Sequence, residues 1–279
     1  MLKTRIATAL VLITLVMAAL FTLPPRAWGV VILAGCCAAA YEWALLSGFT
    51  PVGRAVFVLA TGVVGVLLLF LPAAGFDQGW RQPFVLSVCG AATVFWVLLA
   101  PAWLAGAWSM RSPVTYAIIG WLVLIGTWFA LVELQARSPW LVLATMAVVW
   151  LADTAAYFTG RRFGRHKLAP SISPGKTWEG VLGALVAACI YGLLLLGFAP
   201  RAGYAQPLST AAIALWLLLM LALTTLSVIG DLFESKLKRE RGVKDSGSLL
   251  PGHGGVLDRI DALLAAMPPA ALMVVYLLH

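Results

Sequence analysis

A chain of 279 residues that is 62% hydrophobic, only 11% charged and of mean hydropathy +0.97 does not belong with soluble domains, which run about 45–50% apolar and about 25% charged. Its net charge of +8 suits a nucleic-acid binder by sign alone, but the apolar background and the placement of the cations argue against that partner. Cys36, Cys37, Cys89 and Cys189 fall inside apolar runs without Cys-x-x-Cys spacing, which argues against a disulfide framework or a thiolate zinc site.

A bilayer core of about 30 Å takes about 20 apolar residues per helix. Runs of that kind lie at 6–23, 28–47, 55–72, 84–105, 114–131, 140–159, 179–198, 208–230 and 262–278. The expected fold is an all-α polytopic membrane protein of about nine transmembrane helices. The first run follows Lys3 and Arg5 as a signal peptide would, but Pro24, Pro25 and Arg26 lead straight into the second run with no small-residue cleavage site, so it is read as retained. Residues 1–138 have short loops and only Glu42, Asp77 and Glu133 as acids, and read as scaffold. Glu42, toward the inner end of the second run, has either a structural or a functional reading.

Residues 139–279 read as the catalytic part of the same integral domain. Asp153 falls inside the sixth run, about six residues before its end and so about 9 Å deep. A carboxylate there is penalised by about 2.5–3.5 kcal/mol on insertion scales, so it faces a polar cavity or a helix partner. The loop 160–178 carries Arg161, Arg162, Arg165, Lys167 and Lys176 among hydroxyls. Gly175-Lys176-Thr177 is no Walker A motif, because Pro170 stands where the first glycine belongs and no strand is expected before it. Ser171, Ser173 and Thr177 can still donate to phosphate oxygens, Lys176 can neutralise one, and Thr177 precedes a helix N-terminus that favours anions. A plain N-cap is the alternative at Thr177.

The second long polar loop, 231–261, packs cations and acids into otherwise apolar sequence. Lys236, Lys238, Arg239, Arg241 and Lys244 open it, and a Gly-rich turn, Pro251-Gly252-His253-Gly254-Gly255, precedes Asp258 and Asp261. Cations with spaced acids suggest a metal–polyphosphate site. Asp231 ends the eighth run four residues before Ser235, a helical spacing, and Asp258 and Asp261 share a face at the start of the ninth. Magnesium takes one or two protein carboxylates and completes its shell with water and phosphate oxygens, a role that fits Asp231 and Asp258; a helix-dipole partner is the alternative for Asp261.

With the N-terminus inside and nine spans, only Arg26, Arg81, Arg137 and Arg201 of the 19 Lys and Arg stay outside. The bias sets the N-terminus in, the C-terminus out, and both long loops on the cytoplasmic face. Part of that charge is topogenic or drawn to anionic lipid. Two loops on one face can build one site.

The run Ser235, Lys238, Arg239, Lys244, Asp245, Gly247, His253, Gly254, Gly255, Asp258, Arg259 and Asp261 resembles, without departure, the signature of the phosphatidate cytidylyltransferase family, the CDP-diacylglycerol synthases. Glu42-Trp43, Asp153 with Ala156-Tyr157, and the loop SISPGKTWEG are similar as well. The resemblance implies a nine-helix enzyme that condenses CTP with phosphatidate, giving CDP-diacylglycerol and pyrophosphate. It implies Mg²⁺, as two divalent ions or one divalent with a monovalent cation, and is compatible with a homodimer.

On that reading Asp231 and Asp258 hold metal, with Asp261 and Asp153 as further candidates. Lys176, Lys238, Arg239, Lys244 and Arg259 hold phosphates, helped by Ser171, Ser173, Thr177 and Ser235. His253 is a phosphate donor, a general acid for pyrophosphate or a structural hydrogen-bonding group. The compact chain suits a bacterial inner membrane, with CTP arriving from the cytoplasm and lipid tails entering between helices. Two other readings fit parts of the pattern: a CTP-dependent polyprenol or lipid kinase, and an ion transporter using the intramembrane acids.

Overall fold

The computed structural model describes residues 2–77, 79–106, 112–198, 209–250, 252 and 254–277. Its helices are α1 Leu2–Thr22, α2 Pro25–Leu46, α3 Pro51–Phe70, α4 Gln82–Val94, α5 Ala100–Ala105, α6 Pro113–Arg137, α7 Pro139–Phe163, α8 Trp178–Phe198, α9 Thr210–Glu240 and α10 Leu257–Leu277. A π-helical turn at Phe95–Leu99 joins α4 and α5 into one rod, Gln82–Ala105. Among the described residues 8 helices are long and apolar enough to cross a membrane, and α1 adds the shorter apolar stretch Leu10–Thr22. The rods match the nine expected runs.

Local chemistry explains where the rods begin. Proline stands in the first turn of α2, α3, α4, α5, α6 and α7, where its missing N–H costs nothing and its φ is already helical. Thr50, Ser138 and Ser209 cap α3, α7 and α9 through hydroxyls that accept from Gly53 N, Trp140 N and Ala212 N. The π turn lies just upstream of Pro101, which cannot donate to the carbonyl four residues back, so a local change of helical pitch accommodates it.

α6 and α10 are buried over most of their length, whereas α3, α7 and α8 are mainly exposed and present their apolar surface to lipid. In hydrocarbon, helix association rests on close packing and interhelical hydrogen bonds. Trp28, Trp43 and Trp128 are fully buried and supply both. Their indole N–H groups donate to Leu131 O at 3.3 Å, Tyr116 O at 3.0 Å and Gly29 O at 2.9 Å. α10 packs on α2, α4 and α6 as well as on α9, so the C-terminal helices are built into the N-terminal ones rather than appended to them.

Two boundaries differ from expectation. The eighth run was expected to end at 230, but α9 continues to Glu240, because Leu232, Phe233 and Leu237 bury one face of the extension. The loop 160–178 shrinks to a hairpin, β1 Lys167–Ala169 against β2 Ser173–Thr177. Asp231 therefore lies within a helix rather than at its end, and Asp153 sits about 15 Å from the end of α7, not about 9 Å.

Candidate active site

The two polar segments meet at one end of the bundle. Lys176, on β2, places Nζ 2.6 Å from Asp231 Oδ2 on α9. Arg239, further along α9, donates from Nε to Ile172 O in the hairpin at 3.3 Å, and from Nη1 to Val243 O. Asp231 Oδ1 also accepts from Ser235 Oγ at 3.3 Å, one helical turn on. At Gly230 the backbones of α9 and α10 nearly touch: a Cβ there would lie 2.5 Å from Asp261 O and 3.0 Å from Ala265 Cβ. That close approach brings Asp231 beside Asp261, whose Oδ1 accepts from Ala262 N at 2.8 Å. The charge of Asp231 acts on both Asp153 and Asp261, and Lys176 offsets it at each. Asp153 itself is exposed on α7.

A second pair forms around Asp258. Its Oδ1 lies 2.6 Å from Lys238 Nζ, which also contacts Glu234 Oε2 at 2.5 Å. Lys238 is only 12% exposed and Glu234 2%. Lys238 is the cation that meets Glu234, and among the described residues Glu234 Oε1 has no hydrogen-bond partner. Asp258 Oδ2 accepts from Ser246 N at 3.0 Å and from Gly255 N at 2.8 Å, and lies 3.0 Å from Ser246 Oγ. Glu42, fully buried on α2, accepts from Ser246 Oγ at 2.9 Å, Val256 N at 3.0 Å and Leu257 N at 2.8 Å. Glycines in and before the turn make room for these acids: a Cβ on Gly254 would lie 2.9 Å from Asp258 Oδ2, and one on Gly247 2.5 Å from Glu42 Oε1. The amides of Gly255, Val256 and Leu257, at the end of the turn and the start of α10, are taken by carboxylates.

The other expected residues are placed unequally. Thr177 is buried and caps α8, its Oγ1 accepting from Gly180 N at 3.2 Å. Ser171 is exposed at the hairpin tip and Ser173 half-buried, while Lys244 and Arg259 are exposed. His253 lies outside the described residues. Lys236 and Arg241, two of the cations that open the second polar loop, donate to helix-end carbonyls: Lys236 Nζ to Gly106 O at 3.0 Å after α5, and Arg241 Nε to Leu46 O at the end of α2. Glu234, Ser246 and the partners of Glu42 were not anticipated. Glu234 had a visible signal, since it stands four residues before Lys238 and three after Asp231, but ending the helix at 230 hid it.

Among the described residues no three acids, histidines or cysteines are grouped closely enough to hold a metal unaided. The hard-oxygen donors fit an ion that keeps water and phosphate oxygens in its shell: Asp231 and Asp258 each hold a cationic ammonium at 2.6 Å.

The family model described as the Cytidylyltransferase family matches residues 3–277. The chain is 39% identical over 277 residues to the phosphatidate cytidylyltransferase of Pseudomonas aeruginosa, covering 96% of this chain and 95% of the relative. It is 36% identical over 284 residues to that of Haemophilus influenzae, with 96% of each covered. It is 37% identical over 280 residues to that of Brucella suis, covering 95% and 90%.

Proposed function

Because this chain belongs to the cytidylyltransferase family, we propose that it condenses CTP with phosphatidate, giving CDP-diacylglycerol and pyrophosphate in phospholipid synthesis. A phosphatidate oxygen attacks the α-phosphorus of CTP; the new P–O bond forms as the bond to the bridging oxygen breaks, and pyrophosphate leaves with that electron pair. Phosphatidate is already an anionic nucleophile, so the protein's task is to bring two polyanions together and offset their charge.

One observation supports the placement of this chemistry: the Lys176–Asp231 and Lys238–Asp258 pairs, from separate segments, converge at one end of the bundle. Asp231 and Asp258 would hold Mg²⁺, with Asp261 and Asp153, both within reach of the Asp231 charge, as further candidates; a divalent ion bound there would polarise the reacting phosphates. Lys176 and Lys238 are the cations poised for substrate phosphates. Arg239, exposed Lys244 and Arg259, and the hydroxyls of Ser171, Ser173 and Ser235 complete the phosphate-facing set. Thr177 supports it by capping α8. His253 is assigned to pyrophosphate, as a donor or a proton source. The basic bias supports a cytoplasmic face for the site, and the bacterial relatives support an inner membrane.

Purified protein given CTP and phosphatidate with Mg²⁺ tests this. Pyrophosphate and CMP-linked lipid should appear together, require phosphatidate and stop with EDTA. CDP with a phosphorylated lipid would point to the kinase instead; vesicle ion flux without CTP turnover would point to the transporter. The near full-length relatives favour neither.

A further inference from the structure

We propose that Glu42, through Ser246, is a positioning residue for Asp258, committing Asp258 Oδ2 to the protein and leaving Oδ1 as the oxygen that meets a cation. The inference rests on the reading of Asp258 as the cation-holding acid.

The two oxygens of Asp258 have unequal surroundings. Oδ2 accepts from two backbone amides, Ser246 N and Gly255 N, and lies 3.0 Å from Ser246 Oγ, whereas Oδ1 meets Lys238 Nζ. The Ser246 hydroxyl has one proton and faces two carboxylates, 2.9 Å from Glu42 Oε2 and 3.0 Å from Asp258 Oδ2. Its direction therefore depends on both. Glu42 fixes the other side of the arrangement by accepting the Val256 and Leu257 amides, which open α10 one turn before Asp261. A carboxylate from α2 thus acts as an N-terminal cap for α10, where the helix dipole favours negative charge. The packing leaves the arrangement little room to shift, because a Cβ on Gly247 would lie 2.5 Å from Glu42 Oε1. With Oδ2 held by two backbone amides and set against the Ser246 hydroxyl, rotation of the Asp258 carboxylate would break both amide hydrogen bonds at once, and a cation is offered one oxygen rather than two.

Hydrogen-bonding partners that orient a metal-holding side chain typically matter by about 10–100-fold in affinity or activity. The test compares Ser246→Ala and Glu42→Gln with Glu133→Gln in the detergent-purified full chain. Glu133 is an equally buried carboxylate at the far end of the bundle, held by Trp80 N at 2.8 Å and Arg137 Nε at 2.9 Å. Four quantities are read: kcat, KM for CTP, the unfolding midpoint without Mg²⁺, and the Mg²⁺ concentration that half-maximally raises that midpoint in the absence of substrate.

Ser246→Ala should lower kcat by about tenfold or more with KM within about twofold, and should raise the half-maximal Mg²⁺ concentration several-fold. Glu42→Gln should follow it. Glu133→Gln should lower the unfolding midpoint and leave the Mg²⁺ response unchanged. Wild-type kcat and Mg²⁺ response in Ser246→Ala would overturn the proposal, as would a Glu133→Gln variant that shows the same Mg²⁺ shift. If Glu42→Gln does not fold, Ser246→Ala decides. The wild-type product judges the proposed function, whereas the Mg²⁺ shift between variant and wild type judges the positioning role whatever the product.

Discussion

Lys176 and Lys238 differ in what holds them, and that difference separates their expected effects. Lys176 and Asp231 are 24% and 33% exposed, so their ion pair adds at most about 1 kcal/mol to stability. Lys176→Ala should leave the unfolding midpoint nearly unchanged and raise KM for CTP about tenfold, since a charge-assisted contact to phosphate is worth about 1.5–3 kcal/mol; an unchanged KM would reduce Lys176 to a topogenic cation. Lys238 sits between Glu234 and Asp258 in a largely closed space, where removing one partner leaves charge uncompensated. Asp258→Asn keeps the volume but loses the negative charge, so turnover should fall by about a hundredfold or more while membrane insertion persists; near-normal turnover would remove Asp258 from the cation site. These residues were legible in the sequence because charge is rare in it and the signature around them is long. Glu42 was visible as an acid in an apolar run, but its partners lie more than 200 positions away, and spacing along a chain carries no trace of such a contact.

At the scale of elements, the continuation of α9 and the tight Gly-rich turn do most to shape the site. Hydropathy ended α9 at 230 because Glu234, Lys236, Lys238 and Arg239 read as loop. Helical spacing gave the better signal: Asp231 with Ser235, and Glu234 with Lys238, are i,i+4 pairs on one helix. The turn is constrained by neighbours as much as by backbone conformation. Gly254 has φ +79, a region that favours glycine, whereas Gly255 has no room for a methyl beside Ser246 Oγ and Glu42. Gly255→Ala should lower stability by about 1–3 kcal/mol through overpacking, read as a fall of several degrees in the unfolding midpoint. Gly35→Ala on α2, where a Cβ meets nothing within 4 Å, should cause no fall. Equal midpoints for the two variants would contradict the packing described for the turn.

Over the whole molecule, polar side chains tie the helix ends together at two opposite faces. On one, Lys236 and Arg241 cap α5 and α2 while Lys176 and Glu42 join the hairpin, α9 and α10; on the other, Arg26 reaches Phe76 O and Glu133 reaches Trp80 N. The alternation of apolar runs made this layout readable from sequence, whereas the use of cations as helix caps depends on packing and was not. Single cysteines placed at Arg165 and Ser248, both exposed, should react with a membrane-impermeant maleimide from the same side, and one at exposed Asp77 from the other. Reaction of Arg165→Cys and Ser248→Cys from opposite sides would separate the two halves of the site. The central claim is the transfer of CMP to a lipid phosphate, and the most direct measurement follows the phosphorus atoms of CTP. With phosphatidate as acceptor, label at the α-phosphorus should enter the lipid and label at the γ-phosphorus should leave as pyrophosphate. γ-Label in the lipid, or α-label retained in CDP, would contradict the account.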